Sequence, residues 1–504
     1  MQPQPSPSVQ NYILLAPSGS QPLGGSRPSV GVQRFLASLQ VNEPIRELYE
    51  QNDPDGQIVA NVIDSTRDGL SKLVQLSEEA LLDLRALHPG LLIVPEQFYY
   101  PQRLQYTIEN QYKKANQRVS TFKIVVQDAK TRKPVPGALV VAFANRTGDQ
   151  AETDANGEAR LTAFSGQTNI DQLFIYPKVG YWSFFQRNRI LLNGDTFSLR
   201  AVTLPVADAR QFFHPGTGPK APTLDTGAGI RVGIIDTGVG PHPDLRITKG
   251  KNLVVGENPA DFFDADEHGT HVAGVVAARG NAPNRLTGLA PGVELFAYRV
   301  FGRNPGRGAS TFAIQKAIEE AIADRCDIIN MSLGGGAPDK AIEQALTDAF
   351  MNGLVAFVAT GNDGRQPVSF PASFSLSIGV GAMGRRNTFP RGTTDDLNLV
   401  KPPRGTDALN YVAAFSNIGR EVDLIAPGIA IVSTVPGGYM PMSGTSMACP
   451  VATGVAAQLL ATRPDLLAMP RNADRSAAMI RFLVSNVRVL GFGATFEGNG
   501  LLMS

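Results

Sequence analysis

From residue 230 onward the sequence predicts an α/β fold, a parallel sheet with helices on both faces. Two observations carry that prediction. Short apolar runs at 231–235, 293–300, 327–332 and 355–359 read as buried strands, while 269–279, 311–323 and 338–352 read as helices between them. Strands alternating with helices in this rhythm need crossover connections, and crossovers give parallel pairing. A third observation is where the chemistry-bearing motifs fall. Val232-Gly-Ile-Ile-Asp236-Thr-Gly ends an apolar strand, while His268-Gly-Thr-His-Val-Ala-Gly274 and Gly444-Thr-Ser446-Met-Ala-Cys-Pro450 each open a helix. Ligands collect at the carboxyl ends of such strands.

The chain has 504 residues, too many for one ordinary core, so about two to four domains are expected. Residues 1–118 read as a Pro-rich tail followed by a small α+β unit. Its strands are expected at 12–16, 58–63 and 72–76, with a short helix at 32–39. Ser77-Glu-Glu supplies a cap and an acidic first turn for a helix carrying Leu81, Leu84 and Leu87. Pro89-Gly90 stops that helix, and 91–94 with 98–101 read as the last strand region. Residues 119–205 change character: alternating apolar strands at 122–126, 138–144, 158–163 and 173–176 are separated by turns at 133–137 and 153–157. This looks like the small β-sandwich found as a regulatory-type accessory domain in carboxypeptidases. It carries no cluster of catalytic groups and is expected to be a spacer or docking domain. A Pro/Gly/Thr-rich linker at 206–229 precedes the unit at 230–504.

Lys+Arg number 46 against 45 Asp+Glu, a formal net charge of +1. That balance gives no electrostatic reason to expect nucleic acid or an anionic membrane as partner. The two cysteines, Cys326 and Cys449, form no CxxC pair, so neither a disulfide framework nor a Cys-based zinc site is expected. The longest apolar runs are strand-sized, and the opening Met1-Gln-Pro-Gln-Pro-Ser-Pro lacks a signal-peptide pattern. A cytoplasmic enzyme is expected, or a secreted one whose leader was trimmed.

A serine hydroxyl is a poor nucleophile until an imidazole takes its proton, and the imidazole must be held in one tautomer by a carboxylate. Asp236, at the end of a buried strand, is placed for that orienting role. The second Asp-Thr-Gly, at Asp225, invites an aspartic-protease reading. That reading needs two facing loops from separate lobes, and only the Asp236 copy follows an apolar strand. His268 and His271 are three apart and might suggest a shared metal, but the chain has only 5 histidines and no acidic partner at helical spacing. Ser446 starts a helix, so unpaired N–H groups and the positive dipole end lie beside the oxygen where charge would develop. Cys449, inside the same helix, reads as a small buried apolar residue rather than a nucleophile.

With its Asp-Thr-Gly, His-Gly-Thr-His and Gly-Thr-Ser-Met-Ala motifs in that order, the chain resembles the subtilisin-like serine proteases, the subtilase family. The resemblance implies a subtilisin-like catalytic domain over 222–504 and, through the strand–helix–strand end of 8–101, an inhibitory propeptide. It implies that Ser446 is the nucleophile, His268 the general base and then acid, Asp236 the orienting carboxylate, and Asn362 the side-chain oxyanion donor beside the Ser446 amide. His271 is then a packing and orienting neighbour. The substrate cleft is implied at Ser332, Leu333 and Gly334 on one wall, Phe301 and Gly302 as the opposing edge, and Ala359, Thr360 and Gly361 as the other wall. Main-chain pairing with an extended peptide gives affinity with little sequence choice. The stretch from Asn362 to Pro371 looks short for the family, and the insertion at 384–408 has no counterpart in its simplest members. No cofactor is required for the chemistry. A structural calcium is implied at Asp244, with carbonyls from 280–285, although no acidic cluster accompanies them. The partners implied are protein or peptide substrates and the chain's own propeptide, cut by the enzyme itself near 99–102. Two competing readings stay open: a peptide acyl transferase or macrocyclase on the same fold, and a binding protein with an inactive site.

Overall fold

Val232 and Ile234 face one buried core, whereas Ile235, the next residue along the strand, faces another. Val355, Phe357 and Ala359 likewise face the first, and Ala356 and Val358 the second. A strand whose successive side chains point to opposite faces has no polar positions only when both faces are covered, which is why these runs are continuously apolar. The computed structural model that shows this describes residues 9–16, 30–52, 58–105, 121–144, 147–162, 169–204, 222–280, 285–399 and 406–504.

The N-terminal unit comprises β1 (Val9–Leu15), α1 (Val30–Ser38), α2 (Arg46–Asn52), β2 (Ala60–Ser65), β3 (Ser71–Ser77), α3 (Glu78–Leu87) and β4 (Leu92–Pro95). Its sheet is antiparallel in the order β2-β3-β1-β4. Ser77 caps α3, its Oγ accepting from the Ala80 amide. The helix α2 was not expected from the sequence.

After β5 (Phe98–Pro101) come β6 (Thr121–Asp128), β7 (Leu139–Ala144), β8 (Thr147–Glu152), β9 (Glu158–Thr162), β10 (Asn169–Tyr176), β11 (Phe184–Ile190) and β12 (Asp195–Leu199). They form two sheets, β11-β10-β7-β8 and β12-β6-β9. Leu173 and Val140 from one sheet and Ile124, Leu161 and Phe197 from the other share a single core between them.

The third unit follows as β13 (Arg231–Asp236), β14 (Ile247–Asn252), α4 (His268–Ala277), β15 (Glu294–Arg299), β16 (Ala309–Ser310), α5 (Thr311–Ala323), β17 (Ile328–Met331), β18 (Leu333–Gly334), α6 (Lys340–Met351), β19 (Val355–Ala359), β20 (Ser377–Arg385), β21 (Asn410–Val412), β22 (Leu424–Pro427) and α7 (Thr445–Ala461). Its sheet runs β14-β15-β13-β17-β19-β20-β21, with β22 also on β20. Every pair is parallel except β20 with β21. α4 and α7 cover one face and α5 and α6 the other, which meets the α/β expectation. The N-terminal sheet packs on α5 and α6: Ile13, Leu15 and Leu73 share a core with Phe312 and Ala341. Lys316 Nζ pairs with Asp64 at 2.6 Å, and the Gln315 amide donates to Ser71 Oγ at 2.8 Å.

Candidate active site

Gly269 decides how closely α4 approaches β13. A Cβ there would lie 2.0 Å from the Gly238 carbonyl oxygen and 3.1 Å from Asp236 Cβ, so only glycine admits the approach. The approach brings His268, the first residue of α4, onto the last residue of β13: His268 Nδ1 lies 2.7 Å from Asp236 Oδ1. Both side chains are buried. A carboxylate only accepts, so the proton sits on Nδ1 and leaves Nε2 with a lone pair. Nε2 has no hydrogen-bond partner among the described residues. Asp236 Oδ1 also accepts from the Thr237 amide at 2.7 Å.

Asp264, which sequence reasoning missed, organises this corner. Its carboxylate accepts from the Thr237 hydroxyl, the Thr270 amide and hydroxyl, and the Asp266 and Glu267 amides. Burial raises its pKa, opposed by those hydrogen bonds. The signal was present in the acidic run Asp264-Ala-Asp-Glu before His268, which reads as a cap for the following helix. His271, one turn into α4, donates from Nε2 to the Ile431 carbonyl at 2.9 Å. Burial pushes it down to about 3, so it stays neutral. The two histidines do not share a ligand position, and among the described residues no group of three or more His, Cys, Asp or Glu could hold a metal.

Ser446 is the second residue of α7 and is buried. Its hydroxyl donates to the Ser332 carbonyl at 2.8 Å rather than to His268. Asn362 follows β19; its Oδ1 accepts from both the amide and the hydroxyl of Thr445, at 2.9 Å each. With the carbonyl side held, Nδ2 is left without a partner among the described residues. A Cβ on Gly444 (φ +154°) would lie 2.3 Å from the Gln102 carbonyl oxygen and 3.2 Å from Asn362 Nδ2. The carbonyl and the free amide therefore border the same small space.

That Gln102 carbonyl comes from the N-terminal unit. β5 lies between β16 and β18, antiparallel to both, with Tyr99 opposite Ala309 and Tyr100 opposite Gly334. Tyr99 is buried and its hydroxyl donates to the Ala337 carbonyl at 3.0 Å. The Gln102 amide donates to the Ser332 carbonyl at 3.2 Å, and the Ser446 amide donates to the Gln102 carbonyl at 3.1 Å. The chain continues past the serine, where the Leu104 amide donates to the Ser443 carbonyl at 2.8 Å.

Of the cleft residues named from sequence, Ser332, Leu333 and Gly334 line β5 directly. Thr360 and Gly361 lie across from them, joined through Ser369: its Oγ donates to the Thr360 carbonyl at 3.1 Å and would be 2.9 Å from a Cβ on Gly334. Ala359 ends β19 beside them, its side chain in the core. Phe301 and Gly302 are not strand partners of β5, although Phe301 shares a buried core with Tyr99. The opposing edge is Ala309–Ser310, and Phe301 bridges Ala309 from one strand further out, because the turn Pro305–Arg307 returns the chain to the cleft. Asp244 meets an arrangement unlike a cation site: its carboxylate holds the Arg285 guanidinium at 3.0 Å and the Tyr439 hydroxyl. That donor set already supplies a positive partner and does not fit calcium; residues 281–284 lie outside the described residues. Burial raises the Cys449 thiol, which therefore stays protonated and unreactive.

Comparison with known proteins points to one family. The profile described as the subtilase family matches residues 227–488. The chain is similar to subtilisin BL of Lederbergia lenta, 35% identical over 55% of this chain and 90% of that protein. It is similar to alkaline elastase YaB of Bacillus sp. (strain YaB), 34% identical over 66% of this chain and 75% of that protein. Subtilisin NAT of Bacillus subtilis subsp. natto is 37% identical over 49% of this chain and 60% of that protein. The expectation of a cytoplasmic setting draws no support from these relatives. Among the described residues no helix is long and apolar enough to cross a membrane.

Proposed function

Because this chain belongs to the subtilase family and is a serine endopeptidase, we propose that it cuts peptide bonds through an acyl-enzyme on Ser446 and is made as a self-inhibited precursor. Substrates are proteins or peptides, and the chemistry needs no cofactor. Ser446 Oγ turns from the Ser332 carbonyl to His268 Nε2, gives up its proton and attacks the acyl carbon. Asp236 holds the imidazole in the accepting tautomer and steadies the imidazolium that forms. The oxyanion takes hydrogen bonds from the Ser446 amide and Asn362 Nδ2. His268 then protonates the leaving amine, and water repeats the sequence to release the acid.

One observation carries the precursor reading: the carbonyl of Gln102 already rests on the Ser446 amide, at the end of a strand laid through the cleft. In this reading the inhibitory propeptide runs through Gln102, and the bond between Gln102 and Arg103 is the one in register for attack. Intact-protein masses of the wild type and Ser446→Ala test it. The wild type should separate into two pieces broken between Gln102 and Arg103, and Ser446→Ala should stay whole. Two identical intact chains would overturn self-processing, and a break elsewhere would overturn the register.

A further inference from the structure

In the register just proposed, on which this inference rests, Arg103 is the first residue on the leaving side of the scissile bond. Its guanidinium forks onto Asp266, with Nη1 to Oδ1 at 2.7 Å and Nη2 to Oδ2 at 3.0 Å. Asp266 is largely buried, its side chain 12% exposed, and its amide is tied to Asp264 at 2.9 Å. The carboxylate is thus fixed two residues before His268, at the point where a leaving-side side chain must pass. Beyond it lies a cavity of about 370 Å³, walled by Asp266 and Glu267, by Thr394 of the insertion, and by Glu152, Lys178 and Tyr181 of the β-sandwich.

The sandwich is seated against this end of the cleft. The Gly180 amide donates to the Tyr439 carbonyl at 2.9 Å, and the Phe185 amide to the Gly392 carbonyl at 2.8 Å. Ser183 and Thr394 hydroxyls lie 2.8 Å apart, and Trp182 is buried in the core of the catalytic unit. Charge in the cavity is acidic once Arg103 is set aside. Lys178 is the cation of the wall, and it pairs with Glu152 at 3.3 Å, which leaves Asp266 facing the peptide beside Glu267, whose carboxyl is pushed up to about 7 by burial and then by Asp266.

The geometry points to Asp266 as a specificity-determining residue that selects arginine immediately after the cut, in a leaving-side pocket whose outer wall is the β-sandwich. A carboxylate with both oxygens presented to a planar fork favours arginine over the point charge of lysine, and disfavours an acidic residue. Partly buried bidentate pairing is worth on the order of tenfold or more in kcat/KM.

The test uses the self-processed enzyme and quenched peptides identical except for the residue after the cut: Arg, Lys, Ala or Glu. The wild type should prefer Arg over Ala about tenfold, with Lys between and Glu slowest. In Asp266→Asn that Arg-to-Ala ratio should fall towards one, whatever the absolute rate, and Asp266→Glu should restore part of it. In the full chain, Arg103→Glu should slow self-cleavage and Arg103→Lys should slow it less. Cleavage of all four peptides at similar kcat/KM would overturn the pocket while leaving the endopeptidase reading intact. Failure to cleave any of them, with the precursor also unprocessed, would overturn the proposed function itself.

Discussion

Pro450 sits inside α7 and has no N–H, so the carbonyl of Ser446 one turn earlier lacks its helical donor. The Ser332 hydroxyl takes that place at 2.9 Å, while Asn330 Nδ2 donates to the same hydroxyl at 2.9 Å. The proline thus ties the nucleophile's own backbone to the strand end that lines the cleft. Ser332→Ala would leave a buried carbonyl unpaired, and a thermal or urea melt should record a loss of about 1–3 kcal/mol. Asn362→Ala removes the donor facing the Gln102 carbonyl. Turnover should fall on the order of 10²–10³-fold with KM little changed, the loss that removing the amide donor of the oxyanion hole causes in subtilisin. An unchanged kcat would mean that Nδ2 never meets the oxyanion. At this scale the sequence was most legible where the proposed chemistry demands a residue type in one local setting: Asp236 was expected to end a buried strand, and His268 and Ser446 to open helices, as they do. It was least legible where a residue acts through position alone: Asp264 and Asp266 sit in a plain acidic run, and only the fold turns one inward and the other towards the cleft.

The contact between the N-terminal sheet and α5 and α6 is charged as well as apolar. Glu319 on α5 is pushed up to about 8, first by burial, then by Asp68, with Asp348 and Glu320 adding and the Arg67 amide opposing. Asp348 on α6 is pushed up to about 6 by burial and then by Asp68. Carboxyls raised by an interface favour the joined state while protonated. Above the ordinary carboxyl range of about 4, each step up in pH weakens the contact until these raised values are passed. After cleavage, co-elution of the N-terminal piece with the rest should therefore fall between pH 5 and pH 8, and Glu319→Gln should flatten that dependence. Tighter association at pH 8 would contradict the assignment. Elements were readable from sequence where both faces are apolar, as in β13 and β19. They were missed where composition misleads: β20 carries Gly379, Gly381 and Gly384, which read as loop. At Gly379 and Gly384 a Cβ would lie 2.5 Å from the Glu421 carbonyl and from the Tyr411 ring, so close packing demands the glycines within a buried strand. β14 alternates lysines with small residues, and α2 is short, with only Leu48 and Tyr49 among its described residues turned to the core.

Across the whole molecule, three units meet at one cleft. The N-terminal unit lays β5 through it from one end, the catalytic unit supplies both walls, and the β-sandwich with the insertion closes the other end. The insertion reaches the site through Asp395, whose carboxylate accepts from the Ser443 hydroxyl beside the leaving-side chain. The sandwich's expected part as a spacer or docking domain could not have been refined from sequence, since it is joined through loop hydrogen bonds at Gly180, Ser183 and Phe185 and through Trp182, a lone side chain buried in the catalytic unit's core, none of which forms a motif. Common to every unit's contribution, in the proposed function, is a serine made nucleophilic by a histidine that an aspartate orients. Peptide mapping after treatment of the processed enzyme with a fluorophosphonate tests that most directly. One adduct on Ser446, lost in His268→Ala, is the predicted result; an unlabelled Ser446 in the processed chain, or an adduct that persists without the imidazole, would contradict it.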